Sequence, residues 1–505
     1  MSNKFSERMT RRDFIRALGI LGATVVLEGC ATPTPTPTVA PTVAPTTKPT
    51  AAPPPTSVPA PTTAPTAPSV PTATQVKPTV PPTVASRPDW VTAGKAYAGK
   101  SVAGLGPVAD MTPYWPKRAE EFTKLTGIRA SADLVASGDP YWAKLESELR
   151  ARTGNVAYFA IDAANLSLYQ QAGALEPLDG YLSNSKFPDW EVSDIPETVW
   201  DMMARRQGKI YGLPFSGECQ AMHCRKDLLD AAGLKPPKTW QELYEAAKKL
   251  RKGDVWGAAW EMRGRYAALR FGNAIASGLN WLDKDLRLSA LRDPRTIENM
   301  KIWRQMLVEG LIPPDTVNMD IRTVETLFST GKVAMVPISW PTSVVIWADP
   351  DKSTIAGKTI AAPVPGGEAN ASGWSLAVSV DAKDKEAAYL YAAWLSCKEI
   401  AIKNALEYQD VGAFRSSVGT DKSISEMFLK RPHGQTVIDA FVVKAEAMKK
   451  ARFAPSLAHW SGPCINAMSQ IFQKIMAGEV PVEKGMNEAA DAAEKILADN
   501  GYYKK

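Results

Sequence analysis

Residues 101–106 read Ser-Val-Ala-Gly-Leu-Gly, and residues 156–162 read Val-Ala-Tyr-Phe-Ala-Ile-Asp. Each is a short apolar run bounded by turn-forming residues, which predicts a buried strand. Thr112-Pro113 reads as an N-cap with proline at the first helical position. It opens a helix through Trp115, Ala119 and Phe122 that stops near Gly127. Ile128 starts another strand. Asp139-Pro140 opens a second helix with Trp142, Leu145 and Leu149 on one face. After Asp162 a helix through Leu166 and Tyr169 ends at Gly173. This β-α-β-α-β order predicts a mainly parallel sheet covered by helices.

The same grammar recurs downstream. Thr239-x-x-Glu242 predicts a capping box ahead of Leu243, Ala246, Ala247 and Leu250. Asp293-Pro294 opens a helix through Ile297, Met300 and Leu307. A helix over Thr323–Thr330 closes at Gly331, with the strand Val333–Ile338 behind it. Further amphipathic helices are expected over Lys383–Cys397 and Met468–Met476. Residues 89–505 exceed the ~250–300 residues at which a single core stops growing, so two lobes are expected.

The N-terminal part has a different composition. Thr10-Arg11-Arg12-Asp13-Phe14-Ile15-Arg16 precedes the apolar run Ala17–Leu27, and Leu27-Glu28-Gly29-Cys30 follows. The twin arginine Arg11-Arg12 resembles a Tat export signal. Leu-x-Gly-Cys resembles a lipobox in which Cys30 is lipidated and becomes the mature N-terminus. Glu28 departs from the small residue usual there. The run is shorter than the ~20 residues that span a bilayer. Residues 31–88 hold 18 Pro and 16 Thr, no aromatic residue, and only Lys48, Lys77 and Arg87 as charges. Such a segment cannot bury enough apolar surface to offset its ordering entropy. It is expected to be a disordered, polyproline-like tether reaching at most on the order of 180 Å at ~3.1 Å per residue. No packed contact between residues 1–88 and the folded part is expected.

The chain has 505 residues and a net charge of +6, most of it outside residues 89–505. The near balance in the folded part speaks against a nucleic-acid partner. Cys219 and Cys224 read as lying on one strand and facing opposite sides, which disfavours a local bridge. Three histidines, His223, His433 and His459, are scattered, and no zinc-type spacing exists. No metal or cofactor is expected.

A collinear set of segments carries a resemblance. Phe122-Thr-Lys-Leu-Thr-Gly-Ile128 comes first, then Leu168-Tyr-Gln-Gln-Ala-Gly-Ala-Leu-Glu-Pro-Leu178 and Lys209-Ile-Tyr-Gly-Leu-Pro-Phe215. Arg225-Lys-Asp-Leu228, Ala232-Gly-Leu234 and Pro237-Lys-Thr-Trp240 follow. Later come Phe328-Ser-Thr-Gly-Lys-Val-Ala-Met335, Ala362-Pro-Val-Pro-Gly-Gly367, Gly373-Trp-Ser-Leu-Ala-Val-Ser379 and Ile475-Met-Ala-Gly-Glu-Val-Pro-Val482. Together they resemble family 1 of the extracellular solute-binding proteins of ABC importers, the maltodextrin-binding-protein-like group. The resemblance implies an α/β, two-lobe periplasmic-binding-protein fold, each lobe a mainly parallel sheet flanked by helices, joined by a hinge. The implied division is a signal peptide over 1–30, the tether over 31–88, an N-terminal lobe from 98–217 plus 364–452, and a C-terminal lobe from 218–363 plus 453–505. The hinge crossings fall near Gly217–Glu218, Pro363–Trp374 and Ala451–Pro455.

Ligands of open α/β sheets bind beyond the carboxyl ends of strands. Asp162 ends such a strand and matches a family position where an acid accepts hydrogen bonds from ligand hydroxyls; an N-cap is its other reading. Glu218 resembles a hinge acid that reaches sugar hydroxyls, with a hinge salt bridge as the alternative. Trp340, Trp374 and Trp460 match regions where family members place aromatic platforms, since an indole face stacks on the C–H face of a pyranose. Each is otherwise a core tryptophan, as Trp303 and Trp394 are expected to be. Asp110, Glu261 and His459 are weaker ligand candidates. Arg415 reads as structural.

The resemblance implies a non-enzymatic receptor, a monomer, that captures a carbohydrate, an oligosaccharide in particular, and delivers it to the transmembrane subunits of an ABC permease. The protein is then exported and held by lipid on Cys30 at the outer face of the cytoplasmic membrane. A polyamine or a phosphodiester in the same fold is the alternative, with acids serving the first and Arg415 or Arg263 the second. A secreted glycosidase using Asp162 and Glu218 as its carboxylate pair is a further one.

Overall fold

The computed structural model describes residues 87–503 except Asp110, Gly138, Val411, Ala413, Ala454, Ser456 and Ala458, and in addition leaves the side chains of Asp139, Glu218, Pro341, Phe453 and Ser461 undescribed. Arg11, Arg12, Cys30, Asp110 and the tether up to residue 86 therefore lie outside the described residues. Arg87, at the end of that tether, does touch the folded part: its Nη1 donates to Leu182 O at 3.0 Å. A helix over Trp90–Lys95, capped by Asp89, precedes the first strand.

The first sheet holds β1 (Ser101–Val108), β2 (Arg129–Ala136) and β3 (Tyr158–Asp162), all parallel. The helix between β1 and β2 starts at Trp115 rather than Pro113. Thr112 is occupied in the preceding turn, where its Oγ1 donates to Pro107 O at 2.6 Å and accepts from Ala109 N at 3.1 Å. Gly127 ends that helix at φ 80°, a backbone state only glycine adopts without strain. Phe122 on its inner face meets Tyr391 and Trp394, each at 5.0 Å between ring centroids. They form one apolar core with Trp115 and Tyr158.

β4 (Leu213–Cys219) belongs to this first sheet, whereas β5 (Ala221–Arg225) belongs to the second. The single strand expected through Cys219 and Cys224 is thus two strands, broken at Gln220, and the two cysteines sit in different sheets. The second sheet continues with β6 (Trp256–Ala258), β7 (Val333–Ser339) and β8 (Thr359–Ala362), in the order β8-β5-β7-β6. β9 (Asn370–Val378) and β10 (Arg452–Phe453) return to the first sheet, whose order is β10-β9-β3-β1-β2 with β4 also on β9. The second core gathers Trp240, Trp260 and Trp303, with Trp303 at 5.3 Å from Trp240 and 4.8 Å from Trp260. Thr239 caps the helix Trp240–Leu250 by accepting from Glu242 N at 3.1 Å. Glu242 reaches back to Lys238 N, one residue earlier than in the usual reciprocal box.

Neither sheet is as parallel as expected, and the second departs most. β5 pairs antiparallel with both β7 and β8, and only β6 and β7 run parallel. The reason lies in the crossings. Strands of β-α-β units end at the edge where ligands gather, but a strand arriving from the other lobe starts there. Ala221 at the start of β5 accordingly pairs with Ser339 at the end of β7. In the first sheet, β9 runs against β3 for the same reason.

His223 on β5 is fully buried under the edge of Trp347. Ser339 Oγ donates to Ala221 O at 3.0 Å, so the 2.7 Å contact to His223 has Nδ1–H donating to Ser339 Oγ. Nε2 is buried without a partner. Burial pushes the imidazole pKa down to about 3. A His near 6.5 when unfolded then takes up a proton on unfolding at every pH between those values. Its contribution is complete above about pH 6.5 and is lost as pH falls toward 3, at up to ~1.4 kcal/mol per pH unit. Melting curves between pH 5 and 8 are expected to show this loss on the acid side, and His223→Gln to flatten it. Equal slopes in the two proteins would contradict the assignment.

Candidate functional site

Asp162 closes β3, and its Oδ1 accepts from Asn165 N at 2.7 Å. It therefore shapes the turn into the helix Leu166–Gln171, although Asn165 takes the cap position. Burial raises its pKa, opposed by the charge of Arg265 and the Asn165 N–H. Trp374 on β9 lies directly opposite Asp162 in the antiparallel ladder, and cross-strand partners share a face. The Trp374 indole lies flat on Trp142, with ring centroids 5.8 Å apart and planes 9° apart. Tyr141 stands edge-on to both, at 6.3 Å from Trp374 and 5.0 Å from Trp142. Neither Trp142 nor Trp374 is fully buried. The end of the first sheet thus presents a carboxylate beside a two-ring aromatic wall.

The second lobe presents its own set beyond β6 and β7. Glu261 is buried and ion-paired to Arg270. The Arg270 guanidinium lies 4.8 Å from the Trp340 ring centroid and 5.4 Å from that of Tyr266. Trp340 follows β7 directly and is half-buried. Arg265 precedes the helix Tyr266–Phe271. Its charge acts on Asp162 of the first lobe, and its buried Nε has no hydrogen-bond partner. The charge of a second-lobe guanidinium with an unused donor therefore acts on a first-lobe carboxylate. A neutral polyhydroxyl molecule between them would find both donor and acceptor.

The remaining candidates fall elsewhere. Trp460 is fully buried in the second core, 5.4 Å from Trp281 and edge-on to it, so it presents no platform here. The chain rejoins the second lobe just before it, and burial there outweighs its closeness to the crossing. His459 is buried with its Nδ1 3.3 Å from the Tyr502 hydroxyl, and burial lowers its pKa. Among the described residues no hydrogen bond, ion pair or ring contact joins it to the Asp162 or Glu261 groups. The Glu218 backbone pairs with Ser372 in β9, and its side chain lies outside the described residues, as does Asp110. Arg415 donates to Trp190 O at 2.8 Å and Ser396 O at 3.2 Å, and pairs with Asp194 at 3.2 Å. It is a structural tie within the first lobe. Arg263 is exposed and paired with Asp320 at 2.9 Å. Among the described residues no group of three or more His, Cys, Asp or Glu is placed to hold a metal ion.

Trp142, Arg265, Tyr266 and Arg270 were not singled out as ligand candidates by the sequence. Trp142 looks like part of a helix's core stripe. The three others follow Trp260-Glu261 at the end of β6, where the strand-end rule applied to the second lobe points to them.

Known proteins give the same picture of the fold. The family described as bacterial extracellular solute-binding protein matches residues 108–401, more than half of the chain. A putative binding protein of Brucella abortus (strain 2308) is 27% identical over 401 residues, covering 76% of this chain and 90% of that protein. Maltose-bound MalE3 of T. maritima superposes with a TM-score of 0.67 at 19% identity, over 79% of this chain and 100% of that one. A solute-binding protein from Agrobacterium radiobacter K84 in complex with ribitol gives 0.66 at 22% identity, over 79% and 99%. Both solved structures share the two-lobe fold.

Proposed function

Because the chain belongs to the bacterial extracellular solute-binding proteins, which are binding receptors rather than enzymes, we propose that it captures a carbohydrate between its lobes for an ABC importer. The observation that carries this reading is the flat Trp142–Trp374 pair beside Asp162, whose carboxyl feels the charge of Arg265, together with the Arg270–Trp340 pair of the other lobe. Aromatic faces take the apolar side of a sugar or polyol, while carboxylate and guanidinium take its hydroxyls. Trp374, Trp142, Asp162, Arg265 and Trp340 are the proposed ligand-facing groups, with the buried Glu261–Arg270 pair bracing Trp340 and with Glu218 and Asp110 as further candidates. An oligosaccharide long enough to lie along both aromatic sets fits this spread. Maltose, ribitol and mannitol are named for ligand-bound relatives of this fold. The phosphodiester alternative loses its two named cations, since Arg415 is tied inside the first lobe and Arg263 is paired with Asp320.

A carbohydrate retained by the purified protein and released on denaturation, seen by mass spectrometry, tests this reading. Incubation with an oligosaccharide is expected to leave it uncleaved; product formation would favour the glycosidase instead.

Residues 98–217 plus 364–452 and residues 218–363 plus 453–505 are the proposed lobes, and the closed, loaded monomer is the form passed to the permease. Export through Arg11 and Arg12 and lipid anchoring at Cys30 complete the proposal. Cys30→Ala is expected to move the protein from the membrane to the soluble fraction. Retention of that variant after a high-salt wash would contradict the anchor.

A further inference from the structure

All three segments that carry the chain between the sheets are fastened to one stretch of the second lobe, Leu269–Leu279. At the first crossing, Asn273 Nδ2 donates to Gln220 Oε1 at 2.5 Å. At the second, Asn370 N donates to Asn273 Oδ1 at 2.8 Å and Asn370 Nδ2 to Leu269 O at 2.9 Å. Glu368 on the same crossing accepts from Ser277 Oγ at 2.7 Å and Gly278 N at 3.0 Å. At the third, the buried Arg452 donates to Gly272 O at 2.6 Å and Leu279 O at 2.8 Å, and pairs with Glu368 at 2.9 Å. The stretch approaches the crossings closely: a Cβ on Gly272 would lie 2.0 Å from Asn370 Nδ2. Buried side chains with this many partners do not slide continuously, because each lost bond leaves a desolvated polar group.

The first-lobe end of the same crossings is built differently. The β4–β9 register shifts between Trp374 and Ser375, which pair with Ser216 and Pro214 and leave Phe215 as an extra residue. Such a bulge interrupts the ladder and lets a strand bend. Gly217 pairs with Gly373 one step further along. Both are close-approach positions held by the first lobe: a Cβ on Gly217 would lie 1.9 Å from the Phe414 ring and one on Gly373 2.6 Å from Ser216 O, and Gly217 N donates to Gly412 O at 2.7 Å.

We propose that Asn273 and Arg452 are positioning residues that bind the three crossings and the stretch Leu269–Leu279 into one plate moving with the second lobe, so that the lobes bend on the first-lobe side of that plate, where β4 carries its bulge at Phe215. Two consequences follow for capture. The helix Tyr266–Phe271, with Arg265 just before it, runs straight into the plate, so the groups facing Asp162 are aimed by the hinge itself. Trp374 is laddered to Asp162 on the first-lobe side of the plate, so its indole keeps its place beside Asp162 and Trp142 as the lobes close. The proposal concerns the fold and holds whichever ligand binds.

Electron spin-echo distances in the ligand-free full chain test it. Spin labels go on three exposed positions, through Lys124→Cys on the first lobe, Lys301→Cys on the second and Asn280→Cys at the plate's end, in pairs and on a Cys30→Ala background. The Lys124–Lys301 and Lys124–Asn280 distributions are expected to be broader than Asn280–Lys301 by roughly twofold, as for a hinge between rigid bodies. Asn273→Ala is expected to broaden Lys124–Lys301 further while leaving Asn280–Lys301 unchanged; Glu368→Gln, which weakens the Arg452 tie, serves if that variant does not fold. A lowered melting temperature without broadening would show a merely structural role and overturn the proposal. Equal widths for all three pairs, or a broad Asn280–Lys301 pair beside a narrow Lys124–Asn280 pair, would also overturn it.

Discussion

Trp460→Ala is expected to lower the stability of the protein by ~3–5 kcal/mol, the usual cost of emptying a fully buried aromatic site. The indole is wholly buried, touches Trp281 edge-on and belongs to the core that also holds Trp240, Trp260 and Trp303. The residual cavity would be lined by large, well-packed side chains, which limits relaxation. Affinity per folded molecule is expected to change little, because no face of this ring reaches the ends of the sheets. Thermal melts and ligand titrations of the same variant decide. An intact melting temperature with lost binding would place Trp460 in the site after all.

Trp374→Ala is expected to do the reverse. The ring lies flat on Trp142, beside Asp162, at the end of the first sheet. Removing an aromatic hot spot typically costs ~2–4 kcal/mol of binding, or roughly 30- to 1,000-fold in affinity. Part of this loss comes from Trp142, which is left without its stacking partner. The stability cost should stay below that of Trp460→Ala, since Trp374 is only partly buried. A variant that melts far lower yet binds normally would assign Trp374 to the core and remove the aromatic wall from the site. Asp162→Asn keeps the size of the side chain but replaces one acceptor oxygen with a donor. It is expected to weaken binding without a comparable loss of stability.

How much of this was legible in the sequence depended on the range of the interactions that decide each feature. Helices such as Trp240–Leu250 and Pro294–Val308 announce themselves through Thr239 and Asp293, because caps and periodicity are local. The first three strands follow from the same local signals. The antiparallel pairing of β5 does not, since its direction is fixed by arrival from another lobe rather than by its own residues. Trp303 and Trp394 read as core and are buried. Trp460 matched a platform region, yet burial depends on which lobe the chain rejoins, and a sequence hides that. Trp142 reads as part of a core stripe and does pack against the first core, but a helical stripe does not say that the ring is only partly buried and stacks on Trp374 at the sheet's end. Arg265 carried no motif; what draws notice to it is the action of its charge on Asp162, 103 positions earlier in the chain.

The most direct test of carbohydrate capture is calorimetric titration of the wild-type chain with a panel of maltodextrins, other oligosaccharides, monosaccharides and sugar alcohols, with polyamines and glycerophosphodiesters beside them. Saturable one-to-one binding by a sugar or sugar alcohol, reduced by Trp374→Ala, is the expected result. Silence across every carbohydrate, with binding by a polyamine or a phosphodiester, would contradict it.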